Sequence, residues 1–227
     1  MTAVDGWLAE YLGQWPPRAP FDVVGSALRS APAWDGTVRP VTGVVAPGLG
    51  VVLSVPLEAE ASVRALGDGW HEPGFGARIA EILGLDPTYV LDGTGVFRWA
   101  DHVPPLAPLG EWVEQGDPRV PDWLRPFNGG VLCVWDDDGA YTAGVGIKHH
   151  TAHGEEIAVG TEPAARGRGY ARRLVVTAAQ AILDRGAVPT YLHAPDNVAS
   201  AHVAEASGFA DRGWRFVGLW AREALHS

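Results

Sequence analysis

Residues 155–171, EEIAVGTEPAARGRGYA, hold the densest set of groups suited to a charged ligand. A short apolar run, Ile157, Ala158 and Val159, has the length and composition of a buried strand. It runs out at Gly160 and Thr161, passes a turn at Pro163 and meets Arg166-Gly167-Arg168-Gly169. Ala171, Leu174, Val175, Ala178 and Ile182 then recur at helical spacing. Strand, glycine-rich turn and helix in this order aim unpaired N–H groups, and the positive end of the helix dipole, at one spot. A pyrophosphate suits that spot. Gly167 and Gly169 let the backbone approach without a Cβ, and Arg166 and Arg168 add positive charge. An ordinary strand-to-helix connection with solvated arginines is the competing reading. Two other phosphate-binding patterns fail: no Gly-Lys-Ser/Thr follows, and no Gly-x-Gly-x-x-Gly follows an early strand.

Three further groups could do chemistry. Cys133 is the lone cysteine, which excludes an intramolecular disulfide and fits a reducing cytosol; a small buried apolar group is its expected state, with a nucleophile as the alternative. Asp136, Asp137 and Asp138 invite a metal, but Asp-Gly between two apolar strands is first a turn. His149, His150 and His153 share a turn without a fourth ligand at zinc spacing, so no metal is expected. A solvated loop cluster is the first reading there, and a substrate-side histidine the second.

The glycine-rich turn also fits a longer pattern. Arg166, Gly169 and Ala171 match Arg/Gln-x-x-Gly-x-Gly/Ala, and Asn197, Ser200, Val203 and the pair Gly208-Phe209 match Asn-x-x-Ala/Ser-x-x-aliphatic…Gly-Phe. On these two motifs, in this order, the chain resembles the GNAT superfamily of N-acyltransferases over roughly residues 128–220. The resemblance implies an α/β fold, a mixed sheet flanked by helices, with acetyl-CoA as cosubstrate. Acetyl-CoA would lie between two splayed parallel strands, those ending near Thr161 and near His193. Its pantetheine arm would meet the backbone around Val159, Gly160 and Thr161. Arg166, Gly167, Arg168, Gly169, Tyr170 and Ala171 would hold the pyrophosphate. Asn197, followed by Ser200, would contact the pantetheine side or fix the next helix; a plain helix cap is the alternative.

Transfer to an amine also needs a proton removed from the ammonium and a departing thiolate. The resemblance places a carboxylate base near Glu155 and Glu156. Side chains alternate along a strand, so only one of the two can face the site, and solvated charges at a strand edge are the alternative. Many relatives carry a Tyr seven residues after the Asn, where this chain has Ala204. Tyr170, Tyr191 and His202 are nearby, none at the matching position. A thiolate with a pKa near 8.5 is a tolerable leaving group without that Tyr.

Composition bounds the rest. At 227 residues, 47% hydrophobic and 19% charged, the chain is globular, with core enough for one large or two small domains. No apolar run reaches the roughly 18 residues of a membrane span, and the N-terminus lacks the basic cluster of a signal peptide. A cytoplasmic protein is expected. The net charge of −10 argues against nonspecific nucleic-acid binding and mildly suits a cationic amine, although solubility alone accounts for it. Ten tryptophans could line a substrate funnel, Trp34, Trp70, Trp99, Trp112, Trp123 and Trp135 among them; filling cores is the commoner use.

The elements that must position these groups follow in order. Helices are expected over residues 5–14, 56–66 and 77–83, and strands over 21–28, 38–45, 50–55 and 95–100. Residues 101–122, with five prolines, read as a connection, and Pro121 as the start of a short helix. Strands follow at 131–135, 141–148, 157–161, 189–193 and 214–220, with helices after Gly169 and after Asn197. Two domains are expected: an N-terminal α/β domain over 1–110, either a degenerate GNAT-like half or an unrelated extension, and a GNAT domain over 111–227. The expected activity is transfer of acetyl from acetyl-CoA to the amine of a small molecule or peptide. The alternatives are a catalytically silent CoA-binding module and an enzyme using a longer acyl-CoA.

Overall fold

The computed structural model describes residues 2–221. Helix α1 (Ala3–Leu12) opens the chain and is followed by β1 (Phe21–Gly25), β2 (Thr42–Ala46) and β3 (Gly50–Val55). Helices α2 (Glu60–Arg64) and α3 (Phe75–Ile82) precede β4 (Tyr89–Trp99), and β5 (Glu111–Val113), β6 (Val131–Trp135), β7 (Tyr141–Thr151) and β8 (Gly154–Thr161) follow. Helix α4 (Tyr170–Asp184), β9 (Val188–His193), α5 (Val198–Ala206) and β10 (Arg215–Ala221) complete the order. The GNAT-type α/β arrangement expected from the motifs is present.

Several expected boundaries moved, each for a local reason. The strand expected over 21–28 stops at Gly25, because Ser26 accepts the Leu28 N–H and turns the chain into a 3-10 turn. The helix expected from Pro56 splits into a 3-10 turn (Leu57–Ala59) and the short α2. The proline-rich connection holds a strand after all: β5 pairs antiparallel with β6 through Trp112↔Leu132. Three paired residues are too few to show a period in the sequence.

Two compact units make up the chain. One comprises the residues up to Trp7 and Phe97–Arg212; the other comprises Leu8–Val96 and the segment beginning at Gly213. No single cut near residue 110 separates them, since β4 passes from the second unit into the first and β10 returns to the second. In the second unit β1 lies parallel to β3, β2 antiparallel to β3, and β10 antiparallel to both β2 and β4. Val23, Leu53, Val63, Phe75, Ile79 and Val217 form its core.

In the first unit β5, β6, β7 and β8 form an antiparallel meander in chain order, and β9 joins β8 in parallel after the α4 crossover. Leu132, Val145, Ile157, Leu174, Ile182 and Phe209 meet in its core, where α4 seals one face of the sheet. The small residues of β7 serve the opposite face: a Cβ at Gly146 would lie 2.3 Å from the Phe127 ring, and one at Gly144 2.8 Å from Leu124. Cys133 is fully buried, and burial pushes its thiol up to about 11, the state of a core residue rather than a nucleophile. Asp136 accepts the N–H groups of Asp138 (3.1 Å) and Ala140 (2.8 Å), so its carboxylate builds the hairpin turn.

Candidate acyl-CoA site

β8 and β9 pair only from Gly154↔Val188 to Glu156↔Thr190. β8 continues unpaired on that side to Thr161, and β9 to His193, so a cleft opens between the two strands toward their C-terminal ends. The N-terminal ends of α4 and α5 face it. Together they line a cavity of about 600 Å³.

The loop entering α4 has the backbone geometry that an anion-binding loop requires. Gly167 (φ 76°) and Gly169 (φ 79°) are both left-handed. Nothing lies within 4 Å of a Cβ built at either, so glycine is required by backbone conformation, and crowding plays no part. Gly169 is the N-cap of α4 and offers no capping side chain, which leaves the first-turn N–H groups without an internal partner. Arg166 Nε donates to the Thr161 carbonyl (3.3 Å) and closes the loop onto the end of β8. Asn197 is the N-cap of α5, its Oδ1 accepting the Ser200 N–H (3.0 Å). The helix-cap role is thus realised, and the same residue borders the cavity.

The expected residues separate cleanly by position. Val159, Gly160, Thr161, Arg166, Gly167, Gly169, Tyr170, Ala171, Asn197 and Ser200 all border the cavity. Arg168 does not, being exposed on the loop. Ala165, Arg172, Tyr191, Ala199 and Val203 border it too. Arg172 and Ala199 carried no signal beyond adjacency to the motifs; Tyr191 arrives from a strand 20 or more residues away from the loop.

Glu155 and Glu156, expected to supply a base, do not border the cavity. They lie three or more residues before Val159, roughly 10–13 Å along the strand. Glu155 is buried on the α4 side, where Arg185, the residue that ends α4, pairs with it at 2.5 Å and His149 Nδ1 lies at 3.2 Å. Glu156 points to the other face and pairs with Lys148 and with His150 Nε2 (3.4 Å). Burial works against its charge, but the Lys148 ammonium and His150 prevail and hold the Glu156 carboxyl at about 2. A carboxylate so held is a weak base. Because its folded value lies below the ordinary 4.5, it contributes stability that is full above about pH 4.5 and is lost as pH falls through about 2. Acid titration of unfolding should therefore show a steeper loss between those limits in the native protein than in Glu156→Gln. Equal slopes would mean that the pair adds nothing.

α5 is anchored from beneath by a buried arginine. Arg98, at the end of β4, donates through Nε to His193 Nε2 (3.1 Å) and through Nη1 to the Phe209 carbonyl (2.9 Å) and to Glu205 (2.8 Å). Guanidinium only donates, so His193 Nε2 must accept and its proton sits on Nδ1, which faces the Ala194 carbonyl at 2.8 Å. Ala204, seven residues after Asn197, is fully buried against this core.

The profile of the acetyltransferase (GNAT) family matches residues 96–209, half of the chain. The chain belongs to this family. It therefore carries an acyltransferase domain of the kind that draws on acyl-CoA, and the match starts where the first compact unit resumes at Phe97. Among solved structures it is similar to a GNAT-family acetyltransferase from Colwellia psychrerythraea (13% identity, 57% of this chain and 56% of that one, TM-score 0.44). It is also similar to a GNAT-family acetyltransferase from Novosphingobium aromaticivorans (22%, 65% and 80%, TM-score 0.48). A third is a GCN5-related N-acetyltransferase from Kribbella flavida (18%, 66% and 64%, TM-score 0.45). The chain thus spans little more than half the length of the first of these. No curated protein matches it. Among the described residues no helix is long and apolar enough to cross a membrane.

Proposed function

We propose that the protein transfers the acetyl group of acetyl-CoA directly to the primary amine of an acceptor. The observation that carries this reading is the cavity at the β8/β9 cleft, which joins both motif segments around a loop of two left-handed glycines and an uncapped helix start. Arg166, Gly167, Gly169, Tyr170 and Ala171 take the pyrophosphate, with Arg168 contributing charge from the loop surface. Val159, Gly160 and Thr161 offer strand edge unpaired with β9 to the pantetheine arm, and Asn197 and Ser200 border the cavity from the start of α5. Opposite α4, the Trp123 ring covers Gly160, where a Cβ would meet it at 2.8 Å. Glu155 and Glu156 are engaged in ion pairs outside the cavity, so the acceptor's ammonium loses its proton to neither of them.

Those engaged carboxylates and the buried Ala204 favour one rival, a module that binds CoA without turnover. Free-CoA release from acetyl-CoA, measured across polyamines, amino acids, aminoglycosides and dipeptides beside Arg166→Ala, separates the two. Release with one amine class, lost in the variant, supports the transferase. Tight CoA binding with no release on any amine overturns it in favour of the silent module. Propionyl- and butyryl-CoA in the same assay test the choice of acetyl.

We read the second unit as an extension in its own right. Its strands run β1-β3-β2-β10-β4, whereas the first unit keeps its meander in chain order, so one is not a strand-for-strand copy of the other.

A further inference from the structure

Tyr191 is the only phenol on β9, and it is one of the few polar side chains that the cavity acquires from outside the two motifs. It follows Thr190, the last residue of β9 in register with β8, so it stands where the cleft begins. From there to Thr161 the cleft runs the length of about four strand residues, roughly 13 Å. A ligand held by its pyrophosphate at Gly167 and Gly169 therefore brings its far end, the thioester, toward Tyr191. The ring is locked: it packs against Phe209 (centroids 5.8 Å apart) and His193 (6.2 Å), the latter fixed in turn by Arg98. Ser200, also on the cavity wall, is its polar neighbour. Tyr170, the other phenol at the cavity, opens α4 beside the glycine loop and so belongs to the pyrophosphate end.

Resting on the acyl-CoA reading above, we propose that the Tyr191 hydroxyl donates a hydrogen bond to the sulfur of the bound thioester and stabilises the thiolate as it forms. The amine lone pair forms the C–N bond at the carbonyl carbon, and the C–S bond breaks with its electron pair on sulfur. The N-protonated amide so formed loses its proton to solvent, the thiolate gains one from solvent, and Tyr191 keeps its own throughout. Burial pushes the phenol up from its ordinary value, against a smaller downward pull from Ser200 and Arg98, so it remains a donor across the neutral range. A rigid donor aimed at charge that develops in the transition state acts on turnover more than on ground-state binding.

The test needs no knowledge of the acceptor. CoA itself is bound to the native protein and to Tyr191→Phe, and the ionisation of its thiol is followed by ultraviolet thiolate absorbance. The Phe ring keeps the contacts with Phe209 and His193, so the comparison isolates the hydroxyl. The bound thiol should ionise more readily in the native protein, by about tenfold in its ionisation constant. With an accepted amine, kcat should fall roughly 10- to 100-fold in the variant, with KM for acetyl-CoA little changed. Equal thiol ionisation in the two proteins overturns the role of Tyr191 and leaves the cavity assignment standing. Failure of the native protein to bind CoA overturns the cavity assignment, and this inference with it.

Discussion

Gly169→Val should weaken CoA binding about 10- to 100-fold while leaving the protein folded. Gly169 sits at φ 79°, a conformation that costs a side-chain-bearing residue roughly 1–2 kcal/mol, with β-branched residues at the upper end. The loop is exposed and a Cβ there touches nothing within 4 Å, so the chain is free to relieve the strain by rotating Gly169 out of the left-handed region. Relief would turn the first N–H groups of α4 away from the ligand. An affinity loss of 10- to 100-fold corresponds to about 1.4–2.7 kcal/mol, the size expected for several mis-aimed donors rather than for a lost contact. Titration calorimetry with CoA measures the affinity, and thermal melting measures the fold. Gly169→Ala should fall between the two, since alanine tolerates the region better than valine. Unchanged CoA affinity in Gly169→Val would remove the loop from the site.

Arg98→Met should destabilise the first unit by about 2–4 kcal/mol. Arg98 is 5% exposed, and its substitution leaves His193 Nε2 and the Phe209 carbonyl without their buried donor. The ion pair with Glu205 contributes little to that figure, because the Glu205 side chain is 63% exposed and water screens it. Chemical denaturation of the native and variant proteins measures the loss. Glu205→Gln, which spares both buried bonds, should cost less than about 1 kcal/mol. A second consequence separates this arginine from an ordinary core residue. Arg98 ties β4 to β9 and to the far end of α5, the helix that carries Asn197 and Ser200, so CoA affinity should fall in the surviving folded fraction of Arg98→Met. Equal costs for the two variants would show that the exposed pair, not the buried bonds, holds α5.

The glycine-rich loop before α4 was legible because its conformational requirements are local. A left-handed residue before a helix selects glycine, an uncapped helix start exposes N–H groups, and both appear within six consecutive residues, Arg166 to Ala171. The same holds for the Asn197 cap, the Asp136 hairpin turn and the left-handed Gly208 (φ 96°) that ends α5. Glu155 and Glu156 show the limit of such reasoning. Alternation along β8 says that they point to opposite faces, and they do. It says nothing of Arg185, Lys148 or the two histidines that pair with them, which arrive from α4 and β7.

What the sequence by itself determined was the family, the glycine-rich loop before α4 and the strand–helix order from β6 onward, all encoded in neighbouring residues. The tertiary structure alone decided which strands share a sheet, that β10 returns to the N-terminal unit, and that Tyr191 rather than a residue at position 204 reaches the cavity. These are pairings between residues far apart in the chain. Periodicity within one segment carries no record of its partner, because register and packing are set by the surfaces that meet only once the chain has folded.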